Sequence, residues 1–198
     1  MKTGENGASQ ATAPTVEFLG TPFSTTTAQD VFNRIVDWPH QAQFAYIVTP
    51  NVDHIVRVHH DPLSLSRYYK QALFSTCDSR IVRKLALLSG KDIPLITGSD
   101  LTNRLFREGL EPNEEITIVG CTDAKIDRLR ALFPKLAIHH YNPPMGFITS
   151  QAEIEKVLHF IEENATRLIF LAVGSPQQEL IAYRASDRIE HGLCICVG

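Results

Sequence analysis

The sequence predicts a single α/β domain built on a mostly parallel sheet with helices on both faces. Three observations point there. From residue 16 onward, short apolar runs alternate with segments of helical period. Several of those runs are apolar throughout, as strands covered on both sides are. No internal repeat, linker or low-complexity stretch interrupts the alternation. Strands and helices in turn imply right-handed crossovers and parallel pairing, a Rossmann-like arrangement.

The elements follow in order. Residues 1–15 are small and polar and predict a flexible tail. Thr27 caps a helix over 28–38, with Asp30 three residues on and a stripe of Val31, Phe32, Ile35 and Val36. Asp61-Pro62 opens a helix to residue 73, with proline where a missing N–H costs nothing. Ser99 opens 100–108 and Gly109 closes it. Thr122 opens a helix to residue 133, ahead of Pro134. Ser150 and Glu153 start another that carries Ile154, Val157, Leu158 and Ile161. Strands are expected at 44–48, 73–76, 116–119, 136–140, 168–173 and 193–197.

Composition narrows the function classes. The 198 residues carry 19 Lys+Arg against 22 Asp+Glu, a net charge of -3, so no global basic field points to nucleic acid. A hydrophobic fraction of 43% with 11 Gly and 11 Pro excludes disorder and collagen-like repeats as the main state. Cys77, Cys121, Cys194 and Cys196 do not form a disulfide framework. Cys194 and Cys196 share one face of a strand as small packers, and no second pair stands at zinc-ligand spacing. A reducing cytoplasm is the expected compartment. No apolar core follows the first residues as in a signal peptide, and the longest apolar run, 168–173, is too short to span a bilayer.

In parallel α/β sheets ligands bind at the carboxyl ends of the strands. The residues there are Thr49-Pro50-Asn51, Cys77-Asp78-Ser79-Arg80, Gly120-Cys121-Thr122, Tyr141-Asn142-Pro143-Pro144 and Gly174 to Glu179, with Thr97 to Leu101 beside them. Gly120 and Gly174 each allow either a close approach of backbone to a phosphate or simply a tight turn. Asp78 reads as a general base at the cleft or as a helix N-cap. Asp100 stands beside a helix dipole or faces a ligand. Thr49 and Asn51 suit sugar hydroxyls or a nucleobase, and equally the capping of 52–58. Gln178-Glu179 either decorates the surface or makes polar contacts that reach back over the cleft. His59-His60 and His139-His140 lack a carboxylate at helical spacing and read as hydrogen-bonded or solvated histidines rather than a metal site. No Asp-x-Asp, nucleophile elbow or dinucleotide glycine fingerprint is present, which disfavours a dinucleotide-dependent enzyme.

The ordered set is more specific than any member. Thr49-Pro-Asn51, Asp78, Gly98-Ser-Asp-Leu101, Val119-Gly120, Pro143-Pro-Met-Gly-Phe147, Val173-Gly-Ser-Pro-Gln-Gln-Glu179 and Val197-Gly198 resemble the WecG/TagA/CpsF glycosyltransferases from about residue 16 onward. The resemblance implies transfer of a sugar from a UDP-sugar donor, of N-acetylmannosamine or glucose type, to a polyprenyl-diphosphate-linked saccharide in cell-envelope or exopolysaccharide synthesis. It implies inversion at the anomeric carbon, no metal and no other cofactor, at the inner face of the cytoplasmic membrane. Asp78 would be the general base, with Thr49 and Asn51 positioning the attack. Gln178 would touch the donor, and Asp100, Gly120 and Gly174 would shape its pocket. Arg80, Arg83 and Arg104 are candidates to meet the diphosphate, Arg80 foremost.

The sequence departs from the family pattern at three places. Ser79-Arg80 stand where the family has Gly after the aspartate, and Leu95-Ile96 stand where many members carry a basic residue. The family also continues past Val-Gly with an appendage that engages membrane and acceptor, so 16–198 is expected to be a catalytic domain lacking it. Apolar surface left uncovered would favour a homo-oligomer. A non-catalytic nucleotide-sugar-binding relative acting as a scaffold is the alternative.

Overall fold

A computed structural model describes residues 13–198. Residues 1–12 of the expected tail lie outside the described residues. Residues 13–15 are tied down: the Ala13 N–H donates to the Leu73 carbonyl at 3.3 Å, and Thr15 begins the first strand.

Six parallel strands form the main sheet: β3 (Ala45–Val48), β4 (Phe74–Ser75), β5 (Glu115–Gly120), β6 (Ala137–Tyr141), β7 (Leu168–Ala172) and β8 (Leu193–Cys196), in the order β4-β3-β8-β7-β5-β6. Every pairing in it is parallel, as the sequence predicts. Before them comes an antiparallel hairpin that the sequence reading lacks, β1 (Thr15–Phe18) and β2 (Thr21–Ser24). Its turn is Leu19-Gly20, both at positive φ, which fits the twist of a two-residue hairpin. Ser24 Oγ accepts the Ser75 N–H at 3.0 Å and pins the hairpin to the sheet edge.

The helices are α1 (Ala28–Val36), α2 (Val52–His60), α3 (Pro62–Lys70), α4 (Arg80–Leu88), α5 (Gly98–Arg104), α6 (Asp123–Leu132), α7 (Gln151–Glu163) and α8 (Gln177–Ala185). Thr27 and Ser150 cap as expected, accepting the N–H of Asp30 and Glu153. Ser99 does not open α5. Thr97 does, its hydroxyl accepting the Asp100 N–H at 3.0 Å, so the helix starts at Gly98 and runs on through a π turn, Leu105–Gly109.

Alternate strand residues face two buried layers. Tyr46, Val48, Ile169, Leu171, Cys194 and Cys196 pack against α7, α8 and part of α2 and α3. Ile47, Ile116, Ile118, Phe170, Leu193 and Ile195 pack against α1, α5 and α6. The two strand cysteines thus share one face, and all four cysteines are free thiols. A smaller cluster of Phe18, Phe23, Ile55, Cys77, Val82, Ala86 and Ile93 joins the hairpin to α2 and α4.

Connections out of neighbouring strands β5 and β7 run in opposite directions, β5 outward to β6 and β7 inward to β8. Their following helices pack on opposite faces, Ile126 of α6 in one layer and Ile181 of α8 in the other. A crevice therefore opens at the carboxyl ends of β5 and β7, the usual ligand position in such sheets. No helix among the described residues is long and apolar enough to cross a membrane.

Candidate functional site

At the β5/β7 crevice lies a cavity of about 440 Å³. Phe106 and Phe170 give it apolar walls, Cys121 and Ala172 line it at the strand ends, and Ser99, Thr102, Asn103 and Lys125 bring polar groups from α5 and α6. An apolar pocket with a few convergent polar groups is the usual form of a small-molecule site.

Gly120 closes β5 at φ +98° with its backbone against Ala172; a Cβ there would fall 2.5 Å from the Ala172 carbonyl oxygen. No side chain fits that approach. The Gly120 carbonyl accepts from His140 Nε2 at 2.9 Å, and His140 Nδ1 lies 3.5 Å from Asp123. His139 contacts Glu115 at 3.3 Å. His140 thus braces the turn while His139 pairs with the start of β5, in keeping with their reading as hydrogen-bonded groups. Gly174, at φ +79°, meets nothing within 4 Å on its open side.

Beside the cavity, three candidate groups meet. The Gly98 N–H donates to Asp78 Oδ2 at 3.0 Å, and a Cβ on Gly98 would lie 3.1 Å from Thr49 Oγ1 and 3.5 Å from Asp78 Oδ2. The next residue, Ser99, lines the cavity. Thr49 is buried at the end of β3, where its hydroxyl donates to the Cys196 carbonyl at 3.1 Å. Asp78 is half-buried, its N–H donating to the Pro50 carbonyl at 3.0 Å. Oδ1 of Asp78 makes no hydrogen bond among the described residues.

The N-cap alternative for Asp78 is settled by its neighbour. Ser79 Oγ accepts the Val82 N–H at 3.2 Å, so Ser79 caps α4 and leaves the Asp78 carboxylate to the cleft side. A glycine could not cap in this way, which accounts for the serine locally.

Asn51 is the N-cap of α2: its Oδ1 accepts from the N–H groups of Asp53 and His54 at 3.0 and 3.4 Å. It also contacts His54 Nδ1 at 2.8 Å. The other edge of the ring, Nε2, stands 3.3 Å from Glu179 Oε1, a charge contact rather than an aligned hydrogen bond. Gln178 is fully buried: its Nε2 donates to Glu179 Oε1 at 3.0 Å, and its Oε1 accepts the Gly198 N–H at 2.8 Å. A row of polar side chains thus runs Asn51–His54–Glu179–Gln178–Gly198, hydrogen-bonded at every step but the His54–Glu179 contact. Its surroundings are buried. Burial, and next the Glu179 carboxylate, hold the Tyr69 phenol well above its ordinary value, and burial does the same to the Cys196 thiol.

The remaining candidates stand apart. Asp100 and Arg80 are exposed at the starts of α5 and α4, as is Arg83 within α4. Arg104 pairs with Glu108 at 3.1 Å and lies 3.7 Å over the Phe32 ring, turned toward α1. No group of three or more His, Cys, Asp or Glu among the described residues is placed to hold a metal ion. Sequence reasoning missed His54 and Lys125, and named Glu179 without its contact to His54. No sequence signal encodes the contact between His54 and Glu179, since 125 positions separate them in the chain.

Comparison with known proteins gives two results. No curated protein matches the chain. The family model described as glycosyl transferase WecG/TagA/CpsF matches residues 16–198, and the chain belongs to that family.

Proposed function

We propose that this chain, a glycosyltransferase by family, moves a sugar from a UDP-sugar to a polyprenyl-diphosphate-linked saccharide with inversion, Asp78 serving as general base. The observation that carries the reading is the Asp78 carboxylate itself. One oxygen is held by the Gly98 N–H, the other is unengaged, and α5 links it directly to the cavity wall. In a single displacement, the acceptor hydroxyl oxygen attacks the anomeric carbon while its proton passes to Asp78 Oδ1. The bond from that carbon to the diphosphate oxygen breaks, and UDP leaves with the electron pair. One attack from the opposite face inverts the centre. Preorganised donors and cations stabilise the departing charge best; Lys125 lines the cavity, and exposed Arg80 stands two residues from Asp78. In this reading Gly120 and Gly174 shape the strand ends beside the donor pocket, exposed Asp100 follows Ser99 of its wall, and Thr49 fixes the strand end beneath the attack.

A second reading, nucleotide-sugar binding without turnover, draws on Asn51 and Gln178, whose amides face inward to the cap of α2 and to Gly198. One experiment separates the two. With a UDP-sugar panel and a short-chain lipid diphosphate acceptor, the wild-type chain should release UDP. Asp78→Asn should lower the rate by roughly 10²–10⁴ with UDP affinity by calorimetry unchanged. An active Asp78→Asn would remove the base. UDP binding without release by the wild type would establish the binding-only reading.

A further inference from the structure

Nine large hydrophobic side chains are exposed among the described residues, and seven of them sit on three elements that share one small cluster. Leu19 is at the tip of the β1–β2 hairpin, Val52 and Val56 are on α2, and Ile81, Leu85, Leu87 and Leu88 are on α4. On α4, Val82 and Ala86 face inward while Ile81, Leu85 and Leu88, at helical spacing, face out with 63%, 46% and 86% of their surface exposed. An ordinary surface helix would carry polar residues there. Between and beside these side chains stand Arg80, Arg83 and Lys84, all exposed, and α4 holds no acidic residue. Asp92 lies just beyond the helix, Glu17 on the hairpin, and Asp53 on α2 is paired with Arg57 at 2.6 Å. The chain as a whole is acidic, so this cationic and apolar helix is a local exception.

We propose that α4, with the hairpin tip and the outer side of α2, is a membrane-docking face that lays its leucines and isoleucine among the headgroups of an anionic phospholipid bilayer. Basic amphipathic helices bind such surfaces through buried apolar area together with attraction to anionic lipid. Charge also decides against a second copy of the chain. A two-fold contact through this face would set Arg80, Arg83 and Lys84 against their own counterparts, whereas an anionic bilayer neutralises all three. The position matters for the site, because α4 begins two residues after Asp78. Docking through α4 would present that carboxylate to an acceptor whose diphosphate is anchored in the same bilayer. The inference rests on the transfer reading only for this last consequence; the face itself stands on exposure and charge.

The test is vesicle flotation of the full chain on phosphatidylcholine with and without phosphatidylglycerol, beside transfer to a water-soluble acceptor. The wild type should bind only the anionic vesicles and release as salt rises. The double variant Leu85→Ser, Leu88→Ser should bind more than tenfold more weakly, and Lys84→Gln about fivefold more weakly. Both should keep wild-type transfer to the soluble acceptor. Equal binding to neutral vesicles, or anionic binding that the double variant retains, would overturn the face. So would a dimer in sedimentation that Leu88→Ser splits while vesicles are ignored, since the occupant would then be a second copy. A wild type that binds anionic vesicles yet transfers nothing would uphold this face and overturn the transfer reading instead.

Discussion

Two buried charged contacts stand at opposite ends of the same sheet and are built differently. At the amino end, Arg167 and Glu114 are each 6% exposed and meet through Nη2 and Nε at 2.6 and 2.7 Å. The Arg167 Nη1 also donates to the Ile35 and Val36 carbonyls at 3.0 and 2.8 Å, closing the end of α1. At the carboxyl end, Glu179 is wholly buried, with His54 and Gln178 on Oε1 and nothing on Oε2. Thr76 Oγ1, at the end of β4, is also buried without a partner. A saturated pair works as a strut. Under-satisfied polar groups cost stability, and a fold tolerates that cost where it orders a site. The amino end has unpartnered buried groups of its own, Trp38 Nε1 and His191 Nδ1, so the contrast lies in the two charged contacts themselves, one saturated and the other with a carboxylate oxygen left over.

The strongest way to break that contrast is Arg167→Met. It leaves the Glu114 side chain buried with no countercharge, only the Glu111 N–H, and two helix-end carbonyls unmet, a loss of about 3–5 kcal/mol. Urea unfolding should show the midpoint falling accordingly, with UDP affinity of the folded fraction unchanged. A loss near 1 kcal/mol or less would mean that the amino-end pair is no strut.

Glu179→Gln sharpens the contrast from the other side. The amide oxygen still accepts from Gln178, and a buried, half-paired charge disappears, so stability should hold or rise. Transfer should fall about tenfold, because His54 loses the charge that fixes its Nε2 edge and Asn51 loses its brace. That outcome is the stability–activity exchange expected of a working site. If Glu179→Gln destabilised the protein as much as Arg167→Met, the two ends would be equivalent.

Legibility in the sequence followed the same division. The central strands were readable because they are short apolar runs, and the Thr27 and Ser150 helix starts because caps are local chemistry, whereas Thr122 marks the start of α6 without a side-chain cap bond. The hairpin escaped because Leu19-Gly20 lacks an Asn-Gly or Asp-Gly turn signal and its strands are only four residues each. Asp78, Thr49 and the Gly98 block were legible as strand-end and motif residues, but spacing left Asp78 open between base and cap. The Ser79 hydrogen bond to Val82 removes the α4 cap reading, and the role as base is a proposal. The His54–Glu179 contact joins helices that follow different strands, and no local pattern encodes a meeting made by topology. Arg167–Glu114 was invisible for the same reason.

The smallest predicted effect probes both ends of the crevice at once through thiols. Cys121 is half-buried at the cavity, whereas burial raises the thiols of Cys77 and Cys196, and Cys196 lies in the layer shared with α8. Alkylation requires the thiolate and access to it. Iodoacetamide at mildly alkaline pH should therefore modify Cys121 first, followed by peptide mass spectrometry, and a UDP-sugar should slow that modification a few-fold by filling the cavity. Cys196 reacting as fast as Cys121 would mean that the polar chain below the cleft opens to solvent on its own. The Glu179 oxygen that lacks a protein partner would then be open to solvent, and the carboxyl end would owe its incomplete bonding to looseness instead of to function.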